Sequence, residues 1–335
     1  MWHYSKTFDV IVIGAGHAGA EAAHACSLMN YSTLLLTSSL DTIAKLSCNP
    51  SIGGTAKGHI VREIDALGGI MGKIADRTSI HYRMLNRSKG PSVRSPRAQI
   101  DRNHYHLEMK KVLESSENLH IMQSHVEDIL TQNGKVQGVK VEEGIIFLSK
   151  TVIVTTGTFL KGKIIIGHKS FEGGRIHDKG SDLLSESFKK MDLKLKRLKT
   201  GTPVRIHKKS IDFSKTEIQP TEDDVRFSYE PQKNFLPHLL CHITYTTDKT
   251  KKIIENNLDQ SARFSGLIES AGPRYCPSIE DKIIRFAHKE RHQIFLEPEG
   301  VTTSEFYVNG LSTSMPFEIQ KEIVESVIGL ENAEI

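Results

Sequence analysis

Cysteine is scarce in this chain of 335 residues: there are four, Cys26, Cys48, Cys241 and Cys276, and no C-x-x-C pair among them. Such spacing argues against a disulfide framework or a zinc cluster, and for a reducing, cytoplasmic setting. Tryptophan occurs once, and aromatics make up only 7%. Long apolar runs are missing as well. A membrane-spanning helix needs roughly 18 to 20 apolar residues, whereas the longest runs here, such as 10–13 and 34–36, are strand-sized. The opening residues run into a strand-like segment without the layout of a secretory signal. Nor is there an excess of one charge: 44 Lys and Arg against 40 Asp and Glu leave +4, which permits a polyanionic partner without requiring one. The 16 histidines form no H-E-x-x-H or similar spacing, so no catalytic metal is expected. What remains, 38% hydrophobic and 25% charged residues, is the composition of a globular protein long enough for a real core and about two domains.

The first recognisable unit is a β-branched run at 8–13, a glycine turn, a small-residue helical stretch at 20–29 and an apolar strand at 32–37. Strand, turn, helix and strand within about 30 residues make a βαβ unit. A loop-like stretch at 38–57 follows, then helical texture at 61–67 and a polar loop at 86–96. Further on, 101–114 predicts a helix, 119–123 a strand, 135–141 and 144–147 a β-meander, and 151–157 a buried strand ending in glycine. The composition shifts near 194, with short strand candidates at 198–206 and 239–246, which suggests an inserted α/β domain. Strand texture resumes at 294–300 and 305–310, and 317–327 predicts a closing helix. The expected organisation is α/β: a Rossmann-type nucleotide-binding domain over 1–193, the inserted domain over 194–270, and a return to the nucleotide-binding region over 271–335.

Gly14, Gly16 and Gly19 stand in G-x-G-x-x-G spacing between strand and helix. The first allows the tight turn, the second lets a pyrophosphate approach the backbone, and the third lets helix and strand pack closely. Free N–H groups at the helix start then hold the phosphate charge. The acidic residue expected at the end of the second strand is missing: the strand ends Leu36-Thr37-Ser38-Ser39, and Asp41 is the nearest carboxylate. Hydroxyls or backbone therefore take the ribose contact, and this strand leaves FAD and NAD both open. The glycine-ended strand around Thr155 and Gly157 is of the type that two-dinucleotide flavoproteins bring back beside their cofactor.

Cys48 lies in a glycine-ended loop just past the nucleotide strand, and Cys276 in a segment equally dense in turn and polar residues. Either can serve as nucleophile or redox partner where its thiolate is stabilised, or be an inert small side chain. Cys26 and Cys241 fit core positions. Two stretches are strongly basic: 82–97 holds Arg83, Arg87, Lys89, Arg94 and Arg97 and no acid, while 189–209 is rich in lysine with Asp192 as its one acid. Such runs grip phosphates by charge and counterion release, or form a solvated face.

These strings, VIGAGHAGAEAA at 12–23, LSCNPSIGG at 46–54, EIDALGG at 63–69, SKGP at 88–91, RAQ at 97–99, RLKTGTP at 197–203, GPRYCPSIEDK at 272–282, HQIFLEPEG at 292–300 and GLSTSMP at 310–316, closely resemble those of the MnmG (GidA) family in the same order. The resemblance runs from end to end of the chain but corresponds to the N-terminal half of the family, without its C-terminal helical domain. It implies an FAD-dependent enzyme, of the two-dinucleotide-binding flavoprotein fold, that adds an aminomethyl or carboxymethylaminomethyl group to C5 of the tRNA wobble uridine, together with an MnmE-type GTPase. It also implies methylenetetrahydrofolate as one-carbon donor, glycine or ammonium as nitrogen source, NADH as reductant, and a homodimer that enters a heterotetramer. Cys48 and Cys276 coincide with the family's functional cysteines. Gly14, Ala15, Gly16, His17, Ala18, Gly19, Val126 and Ser181 fall at FAD contacts. Gly272, Pro273, Arg274, Tyr275, Pro277, Ser278, Ile279, Glu280, Asp281, Lys282 and Phe286 fall in the segment proposed for the nicotinamide nucleotide. Two other classes suit the same residues: a small-molecule FAD or NAD oxidoreductase on this fold, and a fragment that only binds or dimerises. Binding of anticodon-loop RNA separates the first from the tRNA-modifying reading, and flavin colour separates the second.

Overall fold

The computed structural model describes residues 2–268 and 277–335. The chain opens with β1 (Trp2–His3), β2 (Phe8–Ile13), α1 (His17–Leu28) and β3 (Thr33–Thr37). There follow β4 (Ser51–Gly53), α2 (Lys57–Ala66), α3 (Met71–Thr78), β5 (Ser79–Leu85), β6 (Ser95–Ile100) and α4 (Arg102–Glu114). β7 (Leu119–Gln123), β8 (Val126–Gln132), β9 (Lys135–Val141) and β10 (Ile145–Val154) complete the main sheet, in the order β7–β3–β2–β10–β9–β8 with β1 beside β10. The first four run parallel, and β10, β9 and β8 pair antiparallel. Every residue of β3 is buried, as a strand covered on both faces requires. Val10, Val12 and Leu35 share a core with α1 and α4 through Ala20, Ala23, Tyr105 and Met109. Ile11, Ile13, Leu34 and Leu36 share another with Val126, Ile129, Val139 and Val141.

Two strands expected at 144–147 and 151–157 are one strand, β10. Its first part pairs with β9 and its second with β2. Ser149 stands at the change of partner, its hydroxyl donating to Asp9 O and to Thr151 O. The polar Ser149-Lys150-Thr151 step looks like a break in the pattern, yet a strand can change neighbours without ending. β4 and the start of β6 also fall in stretches expected as loops. They form with β5 a small antiparallel sheet, β4–β6–β5, in which cross-strand pairing overrides a turn-like composition.

The rest comprises β11 (Lys163–Ile166), β12 (Lys169–Glu172), α5 (Asp182–Lys190), β13 (Arg205–His207), β14 (Glu217–Gln219), β15 (Cys241–Tyr245), α6 (Asp248–Asn256), α7 (Ile279–Arg285), β16 (Gln293–Pro298), β17 (Glu305–Asn309) and α8 (Phe317–Glu325). β11 and β12 form a hairpin. β13 to β17 build an antiparallel sheet in the order β13–β17–β16–β15–β14. Ile206, Ile294, Leu296, Phe306 and Val308 share a core with α6, α7 and α8. The alternate positions Arg205, Glu297 and Tyr307 face the other way and meet the first unit at Cys48 and Arg97.

The boundary expected at 270/271 does not separate two sheets: β16 and β17 pair with β15 and β13 rather than with the nucleotide-binding sheet. Alternation marks a strand but not its partner, so the sequence pattern carried no information on this point. Nor is 194–270 self-contained. Residues 220–240 form no helix or strand and run as a strap over the first unit. Asp76 accepts the N–H groups of Phe227 and Ser228 at 3.0 and 2.8 Å and the Tyr82 hydroxyl at 3.1 Å, and Asp65 accepts Tyr229 N–H at 2.8 Å. Val225 and Phe227 are fully buried in the first unit's core. The strap also supplies Glu222 and Asp224 to the basic stretch at 82–97: Arg83 and Arg87 pair with Glu222 at 3.0 and 2.6 Å, and Arg87 with Asp224 at 2.9 Å. With Arg97 bound to Glu297 at 2.7 Å, three of that stretch's five cations are neutralised within the fold.

Truncating Phe227 removes the side chain that seats the strap. Phe227→Ala should cost about 3–5 kcal/mol, read as a lower urea midpoint, and should speed proteolysis within 220–240. A midpoint equal to that of the unchanged chain would show that the strap contributes nothing to stability.

Candidate functional site

The glycine turn sits at the C-terminal edge of the parallel strands, where α/β sheets bind ligands. Gly14 has φ +96°, a conformation open to glycine at little cost, and its N–H donates to Leu36 O at 2.8 Å. Thr155 returns beside it: its hydroxyl lies 2.8 Å from both Ile13 O and Gly14 O. A Cβ on Gly19 would lie 1.7 Å from Gly14 O, so this glycine lets helix and turn close on each other. Gly16 differs, because a Cβ there would meet nothing within 4 Å. Gly16 is the N-cap of α1, no side chain caps that terminus, and the first turn carries no acid. Gly16 and Ala18 are exposed, so the positive end of the helix lies open beside the turn, which fits an anionic dinucleotide.

Other residues expected at the cofactor are distributed around this edge. Ala15 is buried beneath the turn, its carbonyl accepting Ala44 N–H at 2.7 Å. Val126 heads β8, just past the corner where Ser124 N–H donates to Thr37 O at 2.8 Å. Ser181 precedes α5 and donates its backbone N–H to Phe159 O. At the end of β3, Asp41 is exposed, and Ser39 accepts its N–H, so this strand end presents hydroxyls rather than a carboxylate. The His17 ring turns inward, 5.7 Å from the Tyr105 ring, with Nε2 buried and unpartnered. Burial lowers its pKa from 6.5 to about 4, so His17 is neutral at the phosphate end of the helix.

Cys48 lies on the other side of the turn, where the two units meet. Its sulfur is 3.4 Å from the Tyr307 hydroxyl and 3.7 Å from Gly201 O. The Arg205 guanidinium donates to Cys48 O at 2.6 Å and Ser47 O at 3.3 Å, and lies 5.1 Å from the centroid of the Tyr307 ring. Arg205 is in turn held by Glu299 at 2.8 Å, whose other oxygen is 2.5 Å from Arg102. Arg175 donates to the Ser47 hydroxyl at 2.9 Å. Lys45 stands among these cations, and burial, then Arg175, lower its pKa. Cys48 is exposed, whereas Cys26 and Cys241 are buried, and burial pushes both their thiols up, the Glu297 carboxylate adding to the effect at Cys241. Of these three, Cys48 alone is accessible to a substrate.

Gly272, Pro273, Arg274, Tyr275 and Cys276 lie outside the described residues. The adjoining residues are engaged by the fold. Pro277 leads into α7, where Ser278 and Asp281 form a reciprocal capping box. Ile279 is in the core, and Glu280, fully buried, accepts the Ser261 and Thr313 hydroxyls. Lys282 donates to Gly310 O at 3.0 Å, and burial lowers its pKa. Phe286 ends the helix with its ring partly exposed. Among the described residues there is no cluster of three or more His, Cys, Asp or Glu that could hold a metal ion, and no helix is long and apolar enough to cross a membrane. The sequence reading missed Tyr307, Arg205 and Glu299. One signal was available: two glutamates within the strand-like FLEPEG string demand cationic partners.

A family model described as "Glucose inhibited division protein A" matches residues 9–335. The chain is 58% identical over 335 residues to the "tRNA uridine 5-carboxymethylaminomethyl modification enzyme MnmG" of Chlamydia felis, covering 99% of this chain and 55% of that protein. It is 57% identical over 331 residues to the protein of that name from Thermodesulfovibrio yellowstonii, covering 98% and 53%. It is also similar to the solved structure of Aquifex aeolicus GidA in its form I crystal, with TM-score 0.92, 52% identity, and coverage of 98% of this chain and 56% of that one. The chain thus spans about half the length of the curated relatives it matches.

The two glycines make opposite predictions. Gly19→Ala should destabilise the chain by about 1–3 kcal/mol in urea unfolding through overpacking. Gly16→Ala, with open space for its Cβ, should cost less, no more than about 1 kcal/mol as an N-cap change, yet weaken binding of any added dinucleotide at least tenfold in a fluorescence titration. A larger stability loss for Gly16→Ala than for Gly19→Ala would contradict the packing. His17 predicts a pH effect. Its folded pKa is below the unfolded one, so the unfolded chain binds the extra proton and stability falls as pH drops from 6.5 towards about 4. Between pH 7 and 5 the chain should lose on the order of 2 kcal/mol more than His17→Gln does, measured as the difference between their urea curves.

Proposed function

The chain belongs to the GidA family, and from that premise we propose that it is the FAD-binding, cysteine-bearing part of an enzyme that modifies C5 of the wobble uridine in tRNA. The observation that carries the reading is the pairing of two features: an uncapped α1 N-terminus with open space over Gly16, and an accessible cysteine where the two units meet. The relatives' name, a tRNA uridine 5-carboxymethylaminomethyl modification enzyme, supplies the substrate class. Gly14, Gly16 and the first N–H groups of α1 would hold the pyrophosphate, with Val126 and Ser181 on the same edge. When bound, FAD would supply redox chemistry at the one-carbon unit, and NADH would be the reductant able to reduce it.

The chain's own residues prepare the base. A wobble base in an anticodon loop is already unstacked enough to be splayed into a site. The Cys48 thiolate adds to uracil C6, and the C5=C6 π electrons move onto C5 and O4, making C5 nucleophilic towards the one-carbon unit. Loss of the C5 proton and departure of the sulfur from C6 restore the ring. Arg205, fixed on the Cys48 carbonyl, holds the loop so that the sulfur keeps its place. Cys276 is the second cysteine of the reading, and 272–286 the segment for the nicotinamide nucleotide. Methylenetetrahydrofolate, glycine or ammonium, an MnmE-type GTPase and a homodimer complete the proposed system, which operates in the cytoplasm.

The test begins with the absorbance spectrum of the purified chain. About one flavin per chain, bleached by NADH, is expected, and the Cys48→Ser chain should show the same flavin content. Built into a protein of full family length, Cys48→Ser should reduce wobble-uridine modification at least a hundredfold in the presence of the GTPase. A colourless chain even with added FAD, or undiminished modification by Cys48→Ser, would overturn the respective half of the proposal.

A further inference from the structure

We propose that Tyr307 is the positioning residue of Cys48, fixing its sulfur through a phenolic hydrogen bond and making the sheet of β13 to β17 part of the cysteine's site; this rests on the reading of Cys48 as nucleophile. The phenol is fixed before the sulfur arrives. Tyr307 sits mid-strand in β17, 3% exposed, between two cross-strand neighbours, Arg205 on β13 and Glu297 on β16. Arg205 covers its ring, and Glu297 is held by Arg97 and Asn309. A tyrosine so packed has little freedom beyond its hydroxyl rotor, and the oxygen lies 3.4 Å from Cys48 Sγ.

The direction of the bond follows from protonation. Burial, and then the sulfur's own charge, push the Tyr307 phenol far up, so it keeps its proton through the neutral range and donates. A thiolate has no proton to give and accepts. In the neutral form the S–H can instead donate to Gly201 O, 3.7 Å away. The sulfur therefore stands between one donor and one acceptor, and the donor serves the thiolate. Charge-assisted bonds are the stronger kind, so the contact favours the reactive form while holding its direction. Because Cys48 belongs to the first unit and Tyr307 to the second, the cysteine's geometry is complete only when the units are docked.

The test is alkylation of the whole 335-residue chain by iodoacetamide, followed by the mass of the peptide that carries Cys48. In Tyr307→Phe the rate at pH 7 should fall about tenfold, the low end for one hydrogen bond to a charged group, as suits a partly exposed site. At about pH 10, where free thiols are ionised, the two chains should react within about twofold of each other. A purely structural role would not produce this pH dependence. Buried Cys241 is the internal fold check and should stay unreacted in both. Equal rates at pH 7 with Cys241 protected would overturn the proposal. Should the variant expose Cys241, Tyr307→3-fluorotyrosine decides: a more acidic phenol of nearly the same shape should raise the pH 7 rate, and a rate that does not rise overturns the proposal. Undiminished modification by Cys48→Ser would end the nucleophile reading without touching the alkylation result, so the two failures are distinguishable.

Discussion

Two glutamates at the end of one strand, Glu297 and Glu299, are almost wholly removed from water, at 1% and 2% exposure. An ionised carboxylate in that position costs several kcal/mol unless a cation meets it. Arg97 reaches Glu297, while Arg102 and Arg205 reach Glu299. Arg97 and Arg102 belong to the first unit and Arg205 to the second, so Glu297 meets its cation, and Glu299 its second one, only when the units dock. The turn after Glu299 adds to the joint. Asp101, which caps α4, also accepts Val301 N–H at 2.8 Å, and a Cβ on Gly300 would lie 2.7 Å from its carboxylate. The contacts of Arg205 and Tyr307 with Cys48 form across this same joint.

The basic stretch at 82–97 shows how the same chemistry changes meaning once the chain is folded. Read alone, five cations without an acid point towards phosphates. In the fold, acids more than a hundred residues away take up Arg83, Arg87 and Arg97, leaving Lys89 and Arg94 without an ion pair among the described residues. In 189–209, Lys189, Lys190, Lys199 and Arg205 are paired. Lys194, Lys196, Lys208 and Lys209 make no ion pair among the described residues, so the charge available to a polyanion is smaller and differently placed than composition suggests.

The candidate site has two parts built on different principles. The glycine turn is local: its function depends on backbone shape and on N–H groups left at a helix start, and Thr155 completes it from the neighbouring strand. The cysteine part is assembled from afar. Leu46 anchors its loop in the first core, and Arg205 on the carbonyl and Tyr307 at the sulfur reach it from the second unit.

The sequence by itself determined the βαβ start, the glycine turn, the strands at 119–123 and 135–141, the helix beginning at Arg102, and the family, because each rests on residues within a few positions of one another. Periodicity and glycine spacing are local properties, and a local reading recovers them. It did not recover that β10 is one strand with two partners, that β16 and β17 join β15 and β13, or that 220–240 is a strap. Strand texture does not name a neighbour. The site divides the same way. Gly14, Gly16, Gly19 and Cys48 were legible, whereas the Arg97–Glu297 pair joins residues 200 positions apart and the Cys48–Tyr307 contact residues 259 apart. Only the tertiary structure decided those partners, because burial, not spacing along the chain, makes a charge or a thiol require them.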